Sequence, residues 1–559
     1  MLGLAGLTSP AWAAGSEPVQ FTRDFAPADG WVKPVEQPYR RELCLNGSWQ
    51  FQPVALPLGF KRDTGEPPGL SAPTPGGWDS TRIKIPSPWN VNTWGGRRTA
   101  GEGTEHPYDP GALYFPSYPA AWDGVEMGWL RRSFRVPADW GDRRLVLRFE
   151  AVAGECQVLV NGQVAGTHFD KYLPFELDIT RLVKRAEENE LLVGVRAHAL
   201  FNLRSARYPK MRAPYPCGSE TERLTGIWQD VFLLGLPSVR VDEVFVKPLV
   251  DQDSLELEVT LRNASDRAQE VTVSGEIAPW QNLAGKDILS APEPKWKLGG
   301  AAMTLPAIAR SLPPGARTTL TLREKAGGRL QTWSPAAPNL YAAVLSVVQG
   351  GQTLDRQSTR FGWRQFKLSG NSLLLNGRPL QLVGDLLHPF GPYTLSRRYV
   401  WAWYQMIKDF GGNAVRPHAQ IHPRHYLELA DEMGLVVLDE TALFGSSIQL
   451  NFEAPVAWQR FAEHYDGLVL RDRNHPSVVG WSFGNELFAS SISTRFPGRI
   501  RIVGMRNWRS WAHVPVNWTR PANGFRAMAM RICAARCQCG ASTSASVPRW
   551  IACLVSTSH

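Results

Sequence analysis

What this sequence lacks is concentrated at one end. After Glu486 the chain continues for 73 residues without an Asp, a Glu or a Lys, although it holds ten Arg there. At the density of the first 486 residues, which carry 51 acids, such a stretch should hold roughly seven or eight. It also shows neither helical nor strand periodicity. The net charge of +10 and the pI of about 9.3 therefore describe the tail. Residues 1–486 carry 51 Lys and Arg against 51 Asp and Glu. A neutral body gives no general basis for nucleic acid or a membrane surface as partner, and neither is expected.

Other absences narrow the field further. No stretch reaches the ~18 apolar residues of a membrane span. The body has only Cys44, Cys156 and Cys217, too scattered for a disulfide framework. Cys533, Cys537, Cys539 and Cys553 crowd the tail, but their spacing has no CxxC pair, so neither a metal nor a cofactor is expected. The first residues, MLGLAGLTSPAWAAG, have the apolar run and the Ala11-Trp12-Ala13 pattern of a secretory signal without its positive start. Residues 1–14 are read as a signal-peptide remnant. The expected location is secreted or periplasmic, and otherwise cytoplasmic. The oligomeric state is not legible.

What is present reads as three folded regions. A chain of 559 residues exceeds one domain. Its 22 Trp fit either β-rich cores or platforms for sugar rings, and composition does not choose between them. Over 15–237, short apolar strands alternate with Gly, Pro, Asn and Asp. RLVLRF and CQVLV run with a period near two, and Asn161-Gly162 after CQVLV marks a hairpin. This spacing predicts a β-sandwich of the jelly-roll kind. Over 238–362 a second β set appears, with VRVDEVFVKPLV, SLELEVTLRN, QEVTVSGEI, ARTTLTLRE and LYAAVLSVV. About seven short strands in that length fit an immunoglobulin-like sandwich.

After Phe361 the pattern changes. LQLVGDLLH, GNAVRPHA, LVVLDET and VVGWSFGNE read as strands, separated by the helical stretches SRRYVWAWYQMIKDF, HPRHYLELADEMG and APVAWQRFAEHYDGLVLRDRNHPS. Such alternation implies a parallel sheet, either barrel or doubly wound. In a (β/α) barrel the chemistry lies at the C-terminal strand ends. The polar residues fall there: His388, then Arg416 and His418, then Asp439 and Glu440, then Asn485 and Glu486. Any one of them is ordinary as a strand-end residue, and Arg416 is equally readable as an ion-pair partner of Asp439 or Glu440. Four strands ending this way point to a shared pocket.

These stretches, together with RELCLNGSWQF, IPSPWN, WLRRSFRVPADW, YLPFELDIT, GIWQDVFLL, TRFGWRQF, LLLNGRPLQLVG and RDRNHPSVVGWSFGNE, resemble family 2 glycoside hydrolases, the group of β-galactosidases, β-glucuronidases and β-mannosidases. The resemblance implies a sugar-binding jelly roll, an immunoglobulin-like domain and a (β/α)8 TIM barrel, of which 363–488 supply the first four strands. It implies retaining hydrolysis of an O-glycosidic bond in a β-linked oligosaccharide or glycoside. By the resemblance Glu486 is the general acid/base, Asn485 holds the hydroxyl beside the reacting carbon, and Arg416 and His388 match substrate-binding positions. His418 lies one position from the usual histidine, and the neighbours of His388 (Leu386, Leu387, Pro389) also depart from the pattern. The sugar is therefore left open. The chemistry agrees, since a glycosidic oxygen leaves only if protonated. A carboxyl at the end of a hydrophobic strand beside Trp481 and Phe483 has the desolvation that raises its pKa.

A retaining glycosidase also needs a nucleophilic carboxylate roughly 5–5.5 Å from the acid/base. In this family it follows the Asn-Glu pair, where this sequence has no acid. No nucleophile is assigned, and the chain is expected to be inactive. A shifted reading frame over 489–559 accounts for the missing acids, the lost periodicity and the new cysteines together. Read one frame over, with GC-rich codons, VNWTRPANGFRAMAMRICAARC can become ELDPTRQRVSGDGDADLRGAM. The expectation is then a half barrel with open edges on its first and fourth strands, behind two β domains able to fold alone. The alternative is a non-catalytic carbohydrate-binding remnant.

Overall fold

The computed structural model describes residues 27, 29–94, 118–204, 213–218, 224–284, 294–387, 392–444, 450–451 and 454–485. His388, Glu486, the signal-like residues 1–14 and the acid-free tail lie outside them.

The first domain is two facing antiparallel sheets. One orders Arg41–Cys44, Val231–Leu236, Arg144–Phe149 and Phe175–Asp178. The other orders Arg82–Ile85, Gly47–Pro53, Met127–Arg135, Glu188–Arg196, Glu155–Val160 and Gln163–His168. The hairpin expected at Asn161-Gly162 joins the last two strands, and both residues have positive φ, 51° and 77°, as a two-residue type I′ turn requires. Along Glu155–Val160 alternate residues are buried, which puts Cys156, Val158 and Val160 in the core. Fourteen tryptophans among the described residues are buried, and Trp49, Trp89, Trp122 and Trp228 are in this domain's centre. The core reading of tryptophan holds for them.

The second domain packs the three-stranded sheet Val239–Leu249, Ser254–Asn263 and Arg317–Lys325 against a sheet of Trp296–Leu298, Gln269–Asn282, Leu340–Gln349 and Gln352–Phe361, with Met303–Leu312 beside Gln269–Asn282. Each strand quoted from the sequence is found at its place. Strict alternation along Ser254–Asn263 buries Leu255, Leu257, Val259 and Leu261 against Val273, Ile277, Ala343 and Leu345.

The third region begins with a small antiparallel sheet not anticipated from the sequence, Phe366–Ser369, Ser372–Leu375 and Arg378–Pro379. Its turn is again Asn-Gly, Asn376 and Gly377, both with positive φ. The parallel sheet follows, ordered Gly384–Leu387, Ala414–Pro417, Val436–Glu440 and Val478–Ser482. Among the described residues the first strand pairs only with the second, and the fourth only with the third. Three helices connect them: α1 (Arg397–Asp409), α2 (Arg424–Met433) and α3 (Pro455–Asp472). In α1, Val400, Trp403, Tyr404 and Ile407 recur at helical spacing and face inward, while Met406 and Phe410 beside them are each 60% exposed. α2 ends at Gly434, whose φ is 72° and where a Cβ would sit 2.4 Å from the Pro335 carbonyl oxygen.

Buried polar contacts dock the domains. Asp431 of α2 accepts from His475 Nδ1 at 2.6 Å and from Arg360 at 3.2 Å, and its carbonyl accepts from Trp333 Nε1 at 2.9 Å. Burial acts to raise the Asp431 carboxyl, but His475 and Arg360 hold it below its ordinary value. The N-terminal stretch 29–40 touches all three domains. Trp31 lies against the Arg148 and Arg424 guanidinium groups at 3.5 and 4.7 Å, Glu36 accepts from Ser358 N at 2.7 Å, and Arg40 grips Asp355 through Nε at 2.9 Å and Nη2 at 2.7 Å.

Candidate active site

The C-terminal strand ends converge as the barrel pattern predicts. Arg416 is the penultimate residue of the second strand, Glu440 the last of the third, and Ser482 the last of the fourth, with Asn485 three residues beyond. Arg416 donates to Glu440 Oε2 from Nε at 2.9 Å and from Nη2 at 2.6 Å, and Nη2 also reaches Asn485 Oδ1 at 2.9 Å. Ser482 Oγ donates to the same Glu440 oxygen at 2.6 Å, and Ala419 N donates to Oε1 at 2.6 Å. Glu440 is fully buried and Asn485 is 8% exposed. Of the two acids open to Arg416, the partner is Glu440.

Successive strand residues point to opposite faces, so Asp439 points away from the Arg416 cluster. It is buried beside Asp472, which Arg471 holds through two nitrogens at 2.8 and 2.7 Å. Burial first, and then the Asp472 carboxylate, push Asp439 well above the ordinary carboxylate range.

Because a guanidinium can only donate, Arg416 also decides how the Asn485 amide sits. The oxygen faces Arg416 and the NH2 turns the other way. The Asn485 backbone is fixed too: its N–H donates to the Leu443 carbonyl at 2.8 Å, and a parallel bridge joins Phe444 to Asn485. His418 is half-buried with its ring edge-on to Phe444 at 5.8 Å, next to the segment that holds Asn485. Beyond it Ala419 has φ of 52°, an uncommon backbone state for a residue with a Cβ, and this conformation points its N–H at Glu440. Three sequence-derived candidates, Arg416, His418 and Asn485, are thus neighbours. The other two, His388 and Glu486, directly follow described residues of the first and fourth strand ends and are themselves outside the described set.

Sequence reasoning missed two residues. His464 of α3 is fully buried, accepts from Ala442 N through Nε2 at 2.9 Å, and meets Asp170 of the jelly roll through Nδ1 at 2.6 Å. From the other side the jelly roll reaches the same segment through a bridge between Cys217 and Leu443. The described residues hold no group of three or more His, Cys, Asp or Glu arranged to bind a metal, and no helix long and apolar enough to cross a membrane.

Descriptions of known families match this architecture domain by domain. "Glycosyl hydrolases family 2, sugar binding domain" matches 43–237, "Glycosyl hydrolases family 2" matches 239–364, and the TIM barrel domain of the same family matches 366–496. The chain belongs to glycosyl hydrolase family 2. Relatives include a β-galactosidase of Pectobacterium atrosepticum, 26% identical over 475 residues, which cover 81% of this chain and 40% of the relative. A Photobacterium profundum β-galactosidase is 27% identical, over 80% of this chain and 40% of its own. The chain spans about 40% of the length of the curated relatives it matches. Among solved structures, a Bacteroides uniformis β-glucuronidase superposes with a TM-score of 0.61 at 19% identity, covering 85% of this chain and 50% of that one. An Eisenbergiella tayi β-galacturonidase bound to galacturonate gives 0.59 at 19% identity, covering 86% and 70%. These two likenesses concern the fold. Together the matches establish a family 2 member with a sugar-binding jelly roll, an immunoglobulin-like domain and part of a TIM barrel.

Proposed function

We propose that the mouth at Arg416 and Asn485, with Glu486 next in the sequence as the acid, takes the reacting sugar of a β-linked glycoside, and that this sequence cannot complete the hydrolysis. In a retaining reaction Glu486 would protonate the glycosidic oxygen while a second carboxylate attacks the anomeric carbon. The observation that carries the second half of the reading is the state of the two strand-end acids. Each Glu440 oxygen is already taken, one by Ala419 N and the other by Arg416 and Ser482. Asp439 lies on the opposite face of its strand, buried beside Asp472, which pushes its carboxyl above the ordinary range. Both acids are buried away from the mouth's open side, and residues 487–559 contain no acid. The substrate class is a β-galactoside or a β-linked uronide, by similarity to relatives so described.

Purified protein tested against aryl β-galactosides and β-glucuronides should bind one of them saturably and release no aglycone. A gene with the downstream frame restored should release it, and Glu486→Gln in that protein should abolish release. Turnover by the present chain would overturn the inactive reading. Binding that persists in Arg416→Ala and Asn485→Ala would instead favour the non-catalytic remnant, with the sugar held by the jelly roll.

A further inference from the structure

Segment 441–444 joins the third barrel strand to the wall of the mouth, and its four residues are buried. Thr441 Oγ1 donates to the Phe483 carbonyl, the Leu443 carbonyl receives Asn485 N, and Phe444 bridges Asn485. A further anchor is Ala442 N, which donates to His464 Nε2. For Nε2 to accept, the imidazole must carry its proton on Nδ1, and Nδ1 faces Asp170 Oδ2 at 2.6 Å. The other Asp170 oxygen, Oδ1, is held by Tyr172 N at 2.8 Å and Leu173 N at 3.1 Å, so the carboxylate cannot rotate freely.

We infer that Asp170 and His464 are positioning residues for Asn485: the jelly-roll carboxylate selects the Nδ1–H form of His464, and His464 in that form sets the segment against which Asn485 is held. The two domains are thereby joined at the mouth by one chain of hydrogen bonds with a defined direction, Ala442 N–H to Nε2 and Nδ1–H to Asp170. The link between Asn485 and a sugar rests on the proposed function; the link between Asp170 and Asn485 does not.

The geometry makes an unusual demand on substitutions. In Asp170→Asn the remaining oxygen must stay on the Tyr172 and Leu173 amides, which aims the new NH2 at His464 Nδ1. The imidazole then has to carry its proton on Nε2, where it meets the Ala442 N–H donor to donor. Asp170→Ala removes the partner but lets the ring keep its Nδ1 proton. The isosteric change should therefore be the more disruptive of the two at the mouth, the reverse of what a packing role gives.

The test uses full-length protein with 15N-labelled histidine, the His464 signal being assigned by its loss in His464→Gln. Wild type should show Nδ1 protonated and Nε2 bare, and Asp170→Asn the reverse. Amide exchange at Ala442 and Asn485 should accelerate at least tenfold in Asp170→Asn and less in Asp170→Ala, with Asp178→Asn, on the same domain, unchanged. Binding of 4-nitrophenyl β-galactoside or β-glucuronide, whichever wild type takes, should weaken in the same order. If wild type binds neither, the functional reading fails, while the nitrogen and amide measurements still decide this one. An Nε2–H tautomer in wild type, or unchanged exchange at Ala442 and Asn485 in Asp170→Asn, would overturn it.

Discussion

Arg416 sets two nitrogens on a single oxygen of Glu440, at 2.9 and 2.6 Å, and uses one of them again on Asn485. The pair is asymmetric, with Glu440 fully buried and Arg416 partly exposed. Glu440 receives only donors, so it cannot be replaced by an amide in either orientation: the introduced NH2 would face either Ala419 N–H or the guanidinium. Glu440→Gln should cost about 2–4 kcal/mol, and Arg416→Ala, which strands a buried carboxylate, about 3–5 kcal/mol, both read by urea unfolding. Arg416→Lys should keep more of the stability but lose the hold on Asn485, because one ammonium cannot reproduce the three contacts.

Asp230 supplies a pH dependence. Burial, joined by Glu150 and Glu42 and opposed by the Asn46 hydrogen bond and by Lys84, pushes it up to about 6. A carboxyl raised on folding binds more protons folded than unfolded, so its effect on stability is neutral below about pH 4 and unfavourable above about pH 6. Asp230→Asn, whose oxygen can still accept from Asn46, should raise the melting temperature at pH 8 and leave it unchanged near pH 3.5. At about 1.4 kcal/mol per pKa unit the gain at pH 8 is bounded by about 3 kcal/mol.

The Arg40–Asp355 contact joins the first domain to the second, with Asp355 fully buried. Asp355 also accepts from Val241 N at 2.8 Å. Arg40→Ala should destabilise by about 3–5 kcal/mol. Calorimetry should then resolve separate domain transitions that wild type merges.

Gly434 separates two causes of strain. Gly434→Ala meets both a left-handed φ and the Pro335 carbonyl. Asn tolerates the φ at less cost than Ala does, but not the contact. Gly434→Asn should therefore fail to recover the loss seen in Gly434→Ala, about 1–2 kcal/mol from the backbone alone plus the displacement of residue 335, measured as a shift in urea midpoint.

Local signals carried much of this architecture. Asn161-Gly162 and the period-two run before it predicted a hairpin because every contact involved is a few residues long. Arg416, Glu440 and Asn485 were legible because barrel strands deliver their last residues to one rim. The choice between Asp439 and Glu440 was not, since alternation says that they diverge and not which one turns inward. The sheet at 366–379 escaped because strands of four, four and two residues are too short to show a period, although Asn376-Gly377 marked the turn. His464 looked like any histidine on the inner face of an apolar helix, and its partner lies 294 residues earlier in the chain.

The N-terminal stretch has a consequence in time. Arg40 is made early, but Asp355 follows 315 residues later, and Arg424, which meets Trp31, later still. At ribosomal rates of about 5–20 residues per second, Arg40 waits roughly 15–60 s for its partner. Until then residues 29–40 have only their jelly-roll contacts, such as Trp31 on Arg148, while the jelly roll has already had time to fold. The segment that binds all three domains is therefore among the first synthesised and among the last to settle.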